Sequence, residues 1–431
     1  MLQAIANLWR LKHLRNRILF TLMVLAVYRI GTYIPVPGMN VSALNAGQGN
    51  NALFSLLNMF SGGAFYRFSI FAMSVTPYIT ASIIVQLLQS GVIPRFEEWQ
   101  KEGESGRQRL TQVTRYLTVG LGCLQAIGFT YMFARSGLLL ASANNLWSYI
   151  VIVVTLTAGD TLLMWFGEMI TEKGVGNGIS LLIFVGILSR FSTLGQEVYS
   201  SWYMGQSSHL FLAILKTLLL IAGIVVIFAL IVLVQQAERK VPIQYAKRVV
   251  GRTVYSGQQS YIPIKVIAAG VIPVIFAVSL LILPYTIASY FQSHHWAAFI
   301  LRYLSPQTGW YMALEVLLII VFSFFYTHVQ INPQQLAEQL QKHAGFIPGV
   351  RPGRDTEMYI IKVINRITVF GSVFLGVISI LPFLLLGAIN LTDYNIQGTS
   401  LIILVGVALQ TMQQMEGQLL QRQYRGFLRE S

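Results

Sequence analysis

The sequence predicts an all-α polytopic membrane protein of ten spanning helices, and three observations carry that expectation. Of 431 residues, 55% are hydrophobic and only 11% charged, against about 25% charged in an ordinary soluble domain. Ten apolar runs are nearly free of charge and approach the ~20 residues that cross a bilayer as a helix. The basic residues, which give a net charge of +14, fall mostly on one side of those runs.

In chain order the runs cover 18–36, 67–91, 115–134, 147–167, 178–196, 210–235, 266–289, 310–330, 363–387 and 398–415. The first reads as a span and not a cleavable leader, because Pro35, Pro37 and Gly38 stand at its end in place of a small-residue cleavage site. Pro77 in the second run and Pro273 in the seventh are compatible with membrane helices, where neighbours satisfy the freed backbone groups. Trp147, Trp165 and Trp310 fall at span ends, where indole rings favour the interface. An even number of spans puts both termini on one side. That side receives 24 of the 30 Lys and Arg, and the other receives four, Arg67, Arg135, Arg190 and Arg302, with Arg29 and Lys216 inside spans. By the positive-inside rule both termini are cytoplasmic.

Three cytoplasmic segments are long: 92–114, 236–265 and 331–362. From Glu238 to Ile264 an alternation (Val241, Ile243, Tyr245) with Gly251 and Gly257 predicts a projecting hairpin. The third segment predicts a helix from Gln334 to His343 and a rigid turn at Gly345, Pro348, Gly349, Pro352 and Gly353. Connectors that merely enforce topology are short, so these segments read as docking surfaces.

Catalytic and metal constellations are not evident. His13, His209, His294, His295, His328 and His343 are scattered, and adjacent residues on a helix point apart. No G-x-x-x-x-G-K-[ST] loop occurs. The glycines at 103, 106, 174, 176 and 178 follow no strand of a βαβ unit and read as turn glycines. The single cysteine, Cys123, lies in an apolar run as a small core residue. The chain is therefore expected to be no enzyme and to carry no cofactor. Asp160, Glu315, Lys216 and Arg29 are the ionisable groups within spans. They read either as structural or snorkelling residues or as an ion relay, and the relay reading keeps open a secondary transporter working by alternating access.

Between Asn51 and Tyr66 lies a short apolar stretch including Phe54, Leu57, Met59 and Phe60, closed by Gly62 and Gly63. Ten helical residues reach only about 15 Å, half the hydrocarbon thickness. The segment cannot span. It either lies on the surface as an amphipathic helix or re-enters a cavity formed by protein.

The stretches NMFSGGA (58–64), FAMSVTPYITASIIVQLL (71–88), EGESGRQRLTQVTRY (102–116), ITEKGVGNGIS (170–180), YAKRVVGRTVY (245–255), AAGVIPVIFA (268–277), FIPGVRPGRDT (346–356) and GTSLIILV (398–405) resemble the SecY family, the channel subunits of the Sec protein translocon. The resemblance implies two inverted five-helix halves around a central pore, over residues 1–196 and 197–415, with a cytoplasmic tail at 416–431. It implies a pore ring of Val75, Ile79, Ile179, Ile183, Ile275 and Ile403, with Val75 standing where the family more often has Ile. A ring of this kind resists water and ions by dewetting yet offers a passing chain no specific bonds.

The family's plug, a short re-entrant helix, then corresponds to about 54–64, and its lateral gate to spans two and three facing seven and eight. Lys247, Arg248, Arg252, Arg351 and Arg354 are implied to dock the ribosome or the ATPase SecA. Both are suited to Lys and Arg, through RNA phosphates or carboxylates. The expected function is a passive, gated protein-conducting channel in the cytoplasmic membrane. It would work with SecE-like and SecG-like subunits on signal-bearing polypeptides and release apolar segments into lipid.

Overall fold

A computed structural model describes residues 12–39, 58, 61–89, 93–135, 137, 139, 145–203, 210–245, 248–250, 253–255, 259–291, 294–305, 308–388 and 397–427. Helix α1 (Lys12–Gly31) ends where Gly31 meets the ring of Phe71, leaving no room for a side chain. The chain then turns back on the segment that precedes the second span: Val36 N–H donates to the Phe68 carbonyl at 2.9 Å and Ile70 N–H to the Ile34 carbonyl at 3.0 Å.

In the second apolar run, expected as one helix over 67–91, the helix begins only at Thr76, with α2 (Thr76–Leu87). Before it the chain runs in turns, with Phe68 at φ 42° and Ser74 at φ 56°, a region that breaks a right-handed helix. Aromatic packing accounts for the apolar residues there. Phe65, Phe68, Phe129 and Phe133 are buried, and the Phe68 and Phe133 rings meet edge to face at 4.6 Å.

The seventh run behaves in the same way. Gly270 at φ 62° precedes α8 (Ile272–Tyr290). Pro77 and Pro273, expected inside spans, therefore stand in first helical turns, where a missing N–H costs nothing.

The remaining helices are longer than the runs that predict them. After α3 (Pro94–Lys101) come α4 (Glu104–Arg135), α5 (Leu146–Lys173), α6 (Gly178–Tyr203) and α7 (Leu210–Gln236). Beyond α8 and α9 (His295–Tyr303) follow α10 (Gly309–Gln330), α11 (Pro333–Lys342), α12 (Arg354–Ala388) and α13 (Gly398–Phe427). The 35 residues of α12 reach about 52 Å, well beyond a bilayer core of about 30 Å. Residues 416–427, within the stretch expected as a cytoplasmic tail, are helical and continue α13.

Among the described residues six helices are long and apolar enough to cross a membrane, with α2 and 178–191 as shorter apolar helices. Arg15, Arg17 and Arg29 in α1, and the glutamines from Gln410 onward in α13, dilute those two. Helix α8 joins the two parts of the chain, packing on α2 and α4 on one side and on α10 and α13 on the other.

The expected hairpin is present at the expected place. Strand β1 (Glu238–Tyr245) pairs antiparallel with β4 (Gln259–Lys265), in register Val241 opposite Ile262. Between them β2 (Arg248–Val250) and β3 (Thr253–Tyr255) pair as a tip. Strand β5 (Gly345–Phe346) adds to the free edge of β1. Val241, Ile243, Ile264, Leu340, Ile347, Ile360 and Ile364 form a second buried core between this sheet, α11 and the start of α12. At roughly 1.5–3 kcal/mol per fully buried side chain, that core makes the two long loops one folded unit.

Candidate functional site

Val75, Ile79, Ile183, Ile275 and Ile403 are each 5% exposed or less and belong to one continuous core. They come from four helices or helix entries, α2, α6, α8 and α13.

Two glycine contacts set their relative heights. Gly176, just before α6, has Thr411 Oγ1 of α13 3.0 Å from its Cβ position, and Gly406 of α13 lies against Val271 at the start of α8. Counting about 1.5 Å per residue, Ile183 stands about 10 Å above Gly176 and Ile403 about 12 Å above Thr411. Ile275 stands about 6 Å above Val271 and Ile403 about 4.5 Å above Gly406. By this count the three positions fall at similar heights. Ile179 differs: it is half-buried, and its Cδ1 fills the space at Gly167 of α5.

On the side of this level away from the sheet, the chain segment before α2 is held from two directions. Gly62, at φ 63°, offers its carbonyl to Arg29 Nη1 at 2.7 Å, and Ser189 Oγ stands 3.1 Å from it, its single proton shared with a nearer acceptor, the Gly186 carbonyl, at 2.8 Å. A Cβ on Gly62 would stand 2.7 Å from Gly186 Cα of α6, so the backbones touch. Asn58 and Ser61 tie the segment to itself: Tyr66 N–H donates to Asn58 Oδ1 at 3.2 Å and Phe65 N–H to Ser61 Oγ at 3.0 Å. Of the expected plug residues, Gly62 and Gly63 are placed here, whereas Phe54, Leu57, Met59 and Phe60 lie outside the described residues.

Helices α4 and α8 meet along a seam. The Tyr290 ring occupies the notch at Gly128, Phe129 meets it edge to face at 5.8 Å, and Ser289 Oγ lies 3.9 Å from Met132 Sδ. Close approach through small residues is how membrane helices pack tightly without help from water exclusion.

Asp160 and Glu315 are buried on different helices, and Asp160 Oδ1, Asp160 Oδ2 and Glu315 Oε1 accept no hydrogen bond from the described residues. Gly122 of α4 leaves the space that Asp160 uses, its Cβ position being 2.8 Å from Oδ2. No cluster of His, Cys, Asp or Glu fit to hold a metal occurs among the described residues. Arg29 serves the Gly62 carbonyl and also stacks its guanidinium 5.3 Å from the Tyr33 ring.

At the sheet end Arg351 and Arg354 are exposed. Thr356 Oγ1 donates to the Arg351 carbonyl at 2.8 Å, and Gly349 and Gly353 take the positive φ that the turn requires. Arg248 lies in β2, while Lys247 and Arg252 lie outside the described residues. Lys265 Nζ donates to Gln413 Oε1 at 2.7 Å, tying the sheet to α13.

Several of these positions escape sequence reasoning. Glu168 of α5 binds Arg115 of α4 through two hydrogen bonds, at 2.9 and 2.7 Å. Ser189 and Gly186 sit in an apolar run with no local signal, and β5 is only two residues long.

A buried apolar core inside a bundle of long apolar helices, with a folded basic unit beyond it, defines a polytopic membrane protein. The family model for SecY matches residues 69–412. The chain is 48% identical over 433 residues to the protein translocase subunit SecY of Bacillus subtilis (strain 168), covering all of both chains. A SecY structure whose plug domain is described as stabilising the closed channel is similar at TM-score 0.61 and 19% identity, over 93% of this chain and 91% of that one. Sec61 in the canine ribosome-channel complex is similar at TM-score 0.56 and 17% identity, with the same coverages. The chain belongs to the SecY family of protein translocase subunits.

Proposed function

We propose that this chain is a passive, gated protein-conducting channel of the bacterial cytoplasmic membrane, with both termini cytoplasmic. Signal-bearing polypeptides pass through it, and apolar segments leave it sideways into lipid. The observation that carries the reading is the family membership of a chain in which Ile183, Ile275 and Ile403 are buried in one core. With Val75 and Ile79 these residues form the pore ring, and Ile179 forms its margin against α5. Dry aliphatic packing blocks ions at rest and lets a polypeptide slide when the helices part.

Residues 54–64 are the plug, seated through Gly62. The seam between α4 and α8 is the lateral gate, since weak apolar contacts and a single aromatic notch part at low cost. The two inverted halves at 1–196 and 197–415, ten spans in all, are part of the same reading.

Arg351 and Arg354, with Lys247, Arg248 and Arg252, dock the driving partner. The likeness to a ribosome-bound channel supports a ribosome as one such partner, and the exposed arginines suit the carboxylates of SecA equally. SecE-like and SecG-like subunits complete the assembly. Energy comes from the partner.

The alternating-access transporter is set aside: the relatives are translocase subunits, and the buried acids stand on separate helices without a shared site. Vesicles carrying the full chain with its co-purifying subunits test the function. Added signal-bearing polypeptide and motor should yield a protease-protected product, and its absence would contradict the proposal.

A further inference from the structure

We propose that Arg29, Tyr33 and Arg67 form a site for one acidic phospholipid, whose phosphate the two arginines hold while an acyl chain lies along α1. The site stands at the end of the bundle away from the sheet. It depends on the bundle lying in a bilayer and not on its conducting a polypeptide.

The exposed Tyr33 ring carries two guanidiniums, with Arg29 Cζ 5.3 Å and Arg67 Cζ 3.9 Å from its centroid. A guanidinium held against a ring keeps its edge N–H groups for an acceptor in its own plane, and a phosphate can take two of them at once. Arg29 commits Nη1 to the Gly62 carbonyl and reaches the Tyr33 hydroxyl with Nη2 at 3.5 Å, whereas Arg67 Nη1 is buried without an acceptor. Neither arginine forms an ion pair among the described residues. Two like charges that meet at one ring repel, and an anion beside both offsets that repulsion.

Beneath the ring, Leu19, Met23, Val27 and Ile30 of α1 are all exposed. Their spacing of four, four and three residues places them on one face. From Leu19 to Ile30 that face runs about 16 Å, half of a hydrocarbon core of about 30 Å. One acyl chain of one leaflet has that reach. Positive charge at the top and apolar surface below suit a phospholipid better than a soluble anion. The charge also selects an acidic headgroup over phosphatidylcholine, whose cation would stand beside the arginines.

The test is photolabelling of the full channel complex in phosphatidylcholine vesicles that hold a trace of phosphatidylglycerol with a diazirine in its acyl chain. Phosphatidylcholine bearing the same diazirine is the control. Helix α12, whose Phe370, Val373 and Val377 are exposed, is the internal reference for bulk lipid. Labelling of residues 19–30 relative to α12 should be about tenfold higher with the phosphatidylglycerol probe, and Arg67→Gln should remove most of that excess, as expected for losing a charged hydrogen-bond donor. Arg67→Lys, which keeps the charge, should retain a good part of it.

Equal labelling of residues 19–30 by the two probes would overturn the site, as would an unchanged excess in Arg67→Gln. If neither probe labels residues 19–30 while both label α12, a partner helix covers the face and the proposal fails. A melting temperature raised by inorganic phosphate alone, without the labelling excess, would make this a soluble-anion site and overturn it too. Should Arg67→Gln not accumulate, Tyr33→Leu reads the same site from an exposed position. Loss of the ring frees both guanidiniums and should cut the excess several-fold, and an excess that persists in that variant would contradict the proposal.

Discussion

The Tyr290 ring of α8 occupies the space in which a side chain at Gly128 of α4 would stand, and its hydroxyl donates to the Gln125 carbonyl at 3.4 Å. This contact holds the proposed lateral gate closed on the side away from the sheet. Gly128→Leu should force the two helices apart, so that export of a substrate with a weakened signal rises several-fold. Tyr290→Ala should leave a cavity costing about 2–3 kcal/mol and act in the same direction. Unchanged export of the weak substrate in both variants would remove this seam from the gate.

The Arg115 and Glu168 pair is bidentate, but the two side chains are 48% and 21% exposed. Exposed pairs contribute about 0–1 kcal/mol. Glu168→Gln should therefore lower thermal stability in detergent by no more than about 1 kcal/mol, and the difference should shrink in high salt. A larger loss, independent of salt, would mean that the pair is more deeply embedded than its exposure indicates.

Arg351→Glu should abolish export of signal-bearing proteins without unfolding the chain, because the side chain is exposed and the turn is held by its backbone and by Thr356. Ile347→Asp differs. It buries a charge in the second core, loosens the sheet and should lower protein amount as well as export. Normal export in the Arg351→Glu variant would count against the docking face.

Asp160→Asn preserves volume and removes an ionisable group that is buried without a described partner. A passive channel should keep export within about twofold. Loss of export with intact membrane insertion would revive a relay role for this acid.

Much of this was legible in the sequence for physical reasons. Spans are governed by composition, because lipid penalises charge on every turn of helix, so α4, α5, α7, α10 and α12 follow from apolar runs alone. Strand alternation at Val241 and Ile243 made the hairpin readable in the same way. The non-helical entries to α2 and α8 were not readable, since Phe65, Phe68 and Phe71 are as apolar as a span, and the positive φ at Phe68, Ser74 and Gly270 that interrupts the helix has no sequence signal at the first two.

The seat of the segment around Gly62 was half readable. Gly62 and Gly63 signal a bend, whereas the donors that meet Gly62 come from positions 33 residues before it and 127 after it. Pairing of β5 with β1 depends on two residues with no pattern of their own.

The central claim is that a polypeptide passes through the aliphatic level inside the bundle. A stalled nascent chain, arrested in the full channel complex, should crosslink to cysteines placed at Ile79 and at Ile275, and the crosslinks should vanish when the chain is released. No contact at either position, with the chain still arrested in the complex, would contradict the pore assignment.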